Sequence, residues 1–116
     1  AAMGHTDMLT IGDIGLPIPM SVECVDLAVT EGLPPFLDVL KVVASELEVE
    51  RLIIATELDD GNKALTDEIQ ALFPKAVVDA VAHEDFKTMT QSARAIVRTG
   101  ETTPYANVIL CSGVTF

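Results

Sequence analysis

The chain has 116 residues, 49% of them apolar, only 4% aromatic and none tryptophan, so it makes one domain whose core is built from Val, Ile, Leu and Ala. Eighteen acidic against seven dispersed basic residues give a net charge of -11. This excludes nucleic acid and anionic membranes as partners, because both require a basic patch. No apolar run approaches the ~20 residues that span a bilayer, and no signal-peptide pattern opens the chain.

Ala1-Ala2-Met3 reads as the end of a helix whose beginning lies outside this sequence, followed directly by Gly4-His5-Thr6-Asp7. Met8 to Ile11 is a short strand ending in the flexible turn Gly12-Asp13-Ile14-Gly15. Leu16-Pro17-Ile18-Pro19 is extended, because each proline biases its predecessor away from helix. Glu23 to Val29 is a strand. Gly32-Leu33-Pro34-Pro35 then breaks the chain and starts a helix, with Phe36, Leu40, Val43 and Leu47 on one stripe and an end near Glu48.

Leu52 to Thr56 is a continuous apolar run, as expected for a strand covered on both faces. Asp59-Asp60-Gly61-Asn62 is expected to be a solvated loop without the ligand count of a calcium site. Leu65, Ile69, Leu72 and Phe73 mark a second helix stopped by Pro74, and Ala76 to Ala82 is the next strand. His83-Glu84-Asp85 opens a further helix with acidic residues in its first turn. Ala95 to Thr99 and Val108 to Cys111 are the closing strands, joined by a polar loop from Gly100 to Asn107. Strands alternating with helices predict a single α/β layered domain over residues 1–116, with a central, mainly parallel sheet flanked by helices.

A mean hydropathy of +0.40 is high for so small a domain, which implies apolar surface buried between copies of the chain. Cys24 and Cys111 show no metal-binding or redox spacing, and are expected to be reduced, buried thiols in a cytoplasmic protein.

Two clusters offer chemistry. His5 is a titratable imidazole, and Asp7, two residues on, can orient it. Asp13 and His83 each follow a strand, where α/β sheets bind ligands. The plainer alternatives are a turn-satisfying aspartate and a helix-capping histidine. Lys87 lies one turn beyond His83 on the same helix face, either as a cation beside it or as a solvated lysine. Tyr105 and Asn107 offer a ring for a sugar face and an amide with both donor and acceptor, although such residues are also common in turns. Gly12-Asp13-Ile14-Gly15 lacks the third glycine of a dinucleotide fingerprint, and nothing here spaces ligands for a metal.

Four stretches together carry a resemblance: GHTD at 4–7, GDIGLPIP at 12–19, AHEDFK at 82–87 and RTGETTPYANVILCSGVTF at 98–116. The chain resembles the RbsD/FucU sugar mutarotase family, in its ribose branch on account of Thr6 and the Leu16-Pro17-Ile18-Pro19 turn. The likeness runs nearly end to end, leaving out an N-terminal segment of that family and a variable region around Lys63 to Lys75.

The resemblance implies a cofactor-free, metal-free isomerase that interconverts the β-pyranose and β-furanose forms of D-ribose. It places the proton donor at His5 and sugar contacts at Asp13, His83, Tyr105, Ala106, Asn107 and, with them, Lys87. It also implies a cyclic homo-oligomer, typically a decamer, with sites near subunit interfaces. Met20 stands where some members carry a charged residue, a peripheral departure. The alternatives are a mutarotase for fucose or another monosaccharide, and a non-catalytic sugar-binding ring. A phosphate-accepting His5 lacks any anion-binding loop.

Overall fold

The computed structural model describes residues 7–112. Its strands are β1 (Asp7–Gly12), β2 (Glu23–Asp26), β3 (Arg51–Ala55), β4 (Val77–Val81), β5 (Ala95–Arg98) and β6 (Val108–Ser112), in the spatial order β2-β5-β1-β6-β3-β4. The helices are α1 (Phe36–Ala44), α2 (Thr56–Gly61), α3 (Lys63–Leu72) and α4 (His83–Met89). β2, β5 and β1 run parallel, as do β3 and β4. β6 alone is antiparallel to its neighbours, pairing Ile11 with Val108 and Ile53 with Ile109. The start of β6 therefore lies at the carboxyl ends of β1 and β3.

The period-two alternation of side chains divides the core into two layers. On one face Ile11, Leu52, Ile54, Val97, Val108 and Leu110 pack beneath Phe36 and Leu40 of α1, Leu58 of α2 and Ile69 of α3. On the other, Ile53, Ile96, Ile109 and Cys111 meet Phe86 of α4 together with Leu16 and Val22. Phe86 is fully buried, and burying such a side chain stabilises by about 1.5–3 kcal/mol. All five residues of β6 are buried, which is why it reads as a continuous apolar run. The expected mainly parallel α/β domain is the one observed, with β6 as the antiparallel exception.

Four local expectations need correction. Residues 59–61 belong to α2 rather than a loop: Leu58 is buried, and the early carboxylates Glu57 and Asp59 suit a helix start. Asn62 then caps α3, its side chain accepting from Leu65 N–H at 3.2 Å. β2 stops at Asp26, whose carboxylate accepts from Ala28 N–H and pairs with Arg98, turning the chain away from the sheet. α1 ends at Ala44, where the Ser45 hydroxyl donates to the Val42 carbonyl at 2.6 Å. Both cysteines are free, yet only Cys111 is buried, because Cys24 lies on the exposed edge strand β2. Three strand spacings separate β2 from β6, about 14 Å, too far for a disulfide.

Candidate active site

Polar groups converge where the parallel strands end. Asp13 follows β1, Glu57 follows β3, His83 follows β4, and Tyr105, Ala106 and Asn107 precede β6. That is the end at which open α/β sheets place ligands.

The turn after β1 is held by the loop before β6. Asp13 N–H donates to Asn107 Oδ1 at 2.7 Å, and Ile14 N–H donates to the Glu101 carbonyl at 2.9 Å. The Thr99 hydroxyl and N–H both reach the Gly12 carbonyl, at 2.8 and 2.9 Å. Gly12 must lack a side chain, since a Cβ there would lie 2.6 Å from Leu16 Cδ2 and 3.1 Å from Asn107 Oδ1. Glu101 orders the rest of the loop by accepting from Phe36 N–H, Thr103 N–H and the Thr103 hydroxyl. Burial pushes its carboxyl up, but these hydrogen bonds, that of the Thr103 hydroxyl foremost, hold it below its ordinary range.

Asp13 shows the opposite balance. Burial raises its carboxyl above the ordinary value, and the Gly15 N–H, the Asn107 amide and nearby His83 only partly offset this. A carboxyl so placed can take and return a proton.

Tyr105 adopts φ 61°, a left-handed conformation that costs a non-glycine residue about 1–2 kcal/mol. Ala106 N–H to the Thr103 carbonyl and Asn107 N–H to the Tyr105 carbonyl hold it there. Its ring meets His83 edge-on, with centroids 5.0 Å apart and planes at 78°, while Phe86 stacks near the same imidazole at 6.2 Å. Among the described residues, His83 Nδ1 and Asn107 Nδ2 are buried without a hydrogen-bond partner. Such atoms are costly to leave unmade and are satisfied when a ligand brings hydroxyls to them.

The remaining candidates are placed as follows. Ala106 is fully buried and shapes the turn. Lys87 lies one turn along α4, its ammonium 2.7 Å from Glu84. Asp7 opens β1 at the other end of the sheet, 3.2 Å from Arg94. His5 lies outside the described residues. Met20 is fully exposed.

Sequence reasoning passed over Glu57, although it stands where Asp13 and His83 do, just beyond an apolar strand. It lines a 240 Å³ pocket with Gly61, Asn62, Thr103, Pro104 and Tyr105. Larger hollows of 440 and 690 Å³ lie elsewhere, around Met8, Arg51 and Cys111 and beside β2, and neither is lined by Asp13, His83 or Asn107.

Residues 1–115 match the RbsD / FucU transport protein family. The chain belongs to this family. It is 50% identical over 116 residues to a D-ribose pyranase of Geobacillus kaustophilus, covering 100% of this chain and 85% of that one. It is 55% identical over 117 residues to a D-ribose pyranase of Paracidovorax citrulli, covering 100% and 88%. Among solved structures, Bacillus subtilis RbsD complexed with D-ribose matches with TM-score 0.91 and 43% identity, over 99% of this chain and 88% of that one. A fucose mutarotase from Streptococcus pneumoniae in complex with L-fucose matches with TM-score 0.70 at 21% identity, covering 99% and 88%, a likeness of fold.

Proposed function

We propose that this member of the family is a D-ribose pyranase, an isomerase interconverting the β-pyranose and β-furanose rings of D-ribose. The observation that carries the reading is the pair of buried, unpartnered side-chain nitrogens of His83 and Asn107 beside the raised carboxyl of Asp13. They sit in a chain about half identical to D-ribose pyranases along its whole length.

Changing ring size requires the hemiacetal to open, the chain to rotate and another hydroxyl to reclose on the aldehyde. Opening needs a proton delivered to the ring oxygen and one taken from the anomeric hydroxyl, and positioned acids and bases typically accelerate such steps ~10²–10⁴-fold. His5 delivers the first proton, with Asp7 orienting it. Asp13 takes the second. His83 and Asn107 hold hydroxyls through their open nitrogens, Ala106 keeps the turn tight, and Tyr105 backs a sugar face. Lys87 joins them by exchanging Glu84 for a sugar hydroxyl. Every bond made or broken involves a proton transfer or the hemiacetal carbon, so these side chains suffice for the chemistry.

β1 separates Asp7 from Asp13. Its six residues span about 17 Å at ~3.3 Å per residue. His5 joins the chain at the Asp7 end, whereas Asp13 leaves the other. In the assembly proposed here, the His5 that serves a given Asp13 is supplied by a neighbouring copy, in a head-to-tail contact that closes into a ring. Further contact between copies uses the 690 Å³ groove beside β2, where Val25, Leu27, Val29, Leu33 and Val42 are exposed. Two such rings of five copies each would make the decamer that the family resemblance implies. No helix among the described residues is long and apolar enough to cross a membrane. Free thiols suit a cytoplasmic home.

The test is a substrate panel read as ring-exchange rates by NMR. Accelerated exchange of ribose, and far less for L-fucose, supports the reading; the reverse preference assigns a fucose mutarotase, and binding without acceleration assigns a sugar-binding ring. Mixing refolded His5→Ala and Asp13→Asn subunits should restore about a quarter of the sites if each joins two copies. No recovery would put His5 and Asp13 on one chain.

A further inference from the structure

The structure assigns Glu57 as a positioning residue for His83, joining the turn after β3 to the start of α4 and fixing the imidazole where it meets the sugar. The assignment rests on the pyranase reading above.

The contact follows from the topology. β3 and β4 are parallel neighbours with Ala55 paired to Val81, so their carboxyl ends lie side by side. Glu57 and His83 each sit two residues beyond that pair. Glu57 Oε1 accepts from His83 N–H at 2.9 Å across 26 residues of sequence.

That N–H is one of the first-turn donors a helix leaves unpaired. The N-cap of α4 is Ala82, which has no side chain able to cap it. A carboxylate from a different element therefore does what a serine or aspartate at that position would do.

The carboxylate is itself oriented. The Thr56 hydroxyl donates to the same oxygen at 3.2 Å. Glu57's own N–H, the largest influence, holds the carboxyl below its ordinary range against some burial, with the His83 N–H, the Thr56 hydroxyl and the His83 ring adding to the effect. Glu57 also lines the 240 Å³ pocket together with Tyr105, the residue whose ring edge meets His83. It thus touches His83 directly and shares a pocket with the other aromatic wall of the site. The His83 backbone N–H is held by Glu57, and the imidazole Nδ1 stays buried and open.

Glu57 is exposed, so its removal should leave the fold intact while loosening His83. A double-mutant cycle with His83, using ribose as the probe, separates positioning from general support. Glu57→Ala should lower kcat/KM for ribose exchange, and ribose affinity, by about tenfold, as expected for one charge-assisted hydrogen bond. The same change in a His83→Ala background should have no effect. Glu57→Gln retains an acceptor oxygen and should stay within about threefold of the parent.

Equal losses in both backgrounds, or no loss in either, overturn the assignment. If Glu57→Ala does not fold, the Glu57→Gln amide spectrum decides, because a His83 N–H resonance unmoved by loss of the charge contradicts the contact. A parent that binds ribose without converting it overturns the pyranase reading alone, since the affinity arm of the cycle still reports on Glu57.

Discussion

Replacing Asn107 should separate two functions of one amide. Its Oδ1 accepts from Asp13 N–H at 2.7 Å, while its Nδ2 is buried near the Asp13 carboxyl without a well-formed hydrogen bond. Asn107→Ala leaves a partly buried N–H unpaired, at a cost of about 1–2 kcal/mol. For a domain of this size that lowers Tm by roughly 4–8 °C. On the proposed reading it also removes a donor to the sugar, so kcat/KM for ribose should fall about ten- to hundredfold.

Asn107→Asp keeps an acceptor for Asp13 N–H but sets a second carboxyl beside one that burial already raises. The two then share one proton, and the second ionisation of the pair is pushed high in the folded state. Stability present at low pH should therefore be lost as pH rises through their folded values. Thermal unfolding at pH 5 and pH 8 measures the first effect, and NMR exchange kinetics the second. The Asp variant should unfold near the parent at pH 5, clearly below it at pH 8, and be as inactive as the Ala variant. If Asn107→Ala matched the parent in both stability and rate, the reasoning about this amide would be refuted.

Gly12→Ala should cost about 1–3 kcal/mol in urea unfolding, because Leu16 and Asn107 must give way to the new methyl; an unchanged midpoint would show that the turn has slack. Asp13→Asn should be more stable than the parent at pH 7 yet inactive. A carboxyl raised on folding weakens the fold above its folded value, so the gain should vanish as pH falls toward 4. Val42→Glu puts a charge on a side chain that is 66% exposed beside the apolar groove, so it should lower the mass seen by sedimentation. A parent-sized assembly would place the contact elsewhere.

Much of the candidate site was legible because strand ends are. Apolar runs stop at Ile11 and Val81, and the next polar residues are Asp13 and His83, which the fold brings to one edge. The loop before β6 could be singled out for its ring and amide, but its partner could not. Only the antiparallel direction of β6 brings Asn107 to Asp13 across 94 residues. Glu57 was missed for a similar reason: the acidic stretch after β3 reads as a solvated loop until Leu58 is seen buried beneath the sheet. Strand order was equally hidden, since the hydrophobic alternation of β1 does not say that β5 and β6 flank it. Cys24 looks apolar in sequence, and only its place on an edge strand exposes it.

The most direct measurement is magnetization transfer between the β-pyranose and β-furanose anomeric signals of D-ribose near pH 7, with the parent and with His83→Ala at equal catalytic concentration. The account predicts that the parent raises the exchange rate well above buffer and that His83→Ala lowers this enhancement about ten- to hundredfold. Exchange that stays at the buffer rate with the parent, or that is as fast with His83→Ala, would contradict it.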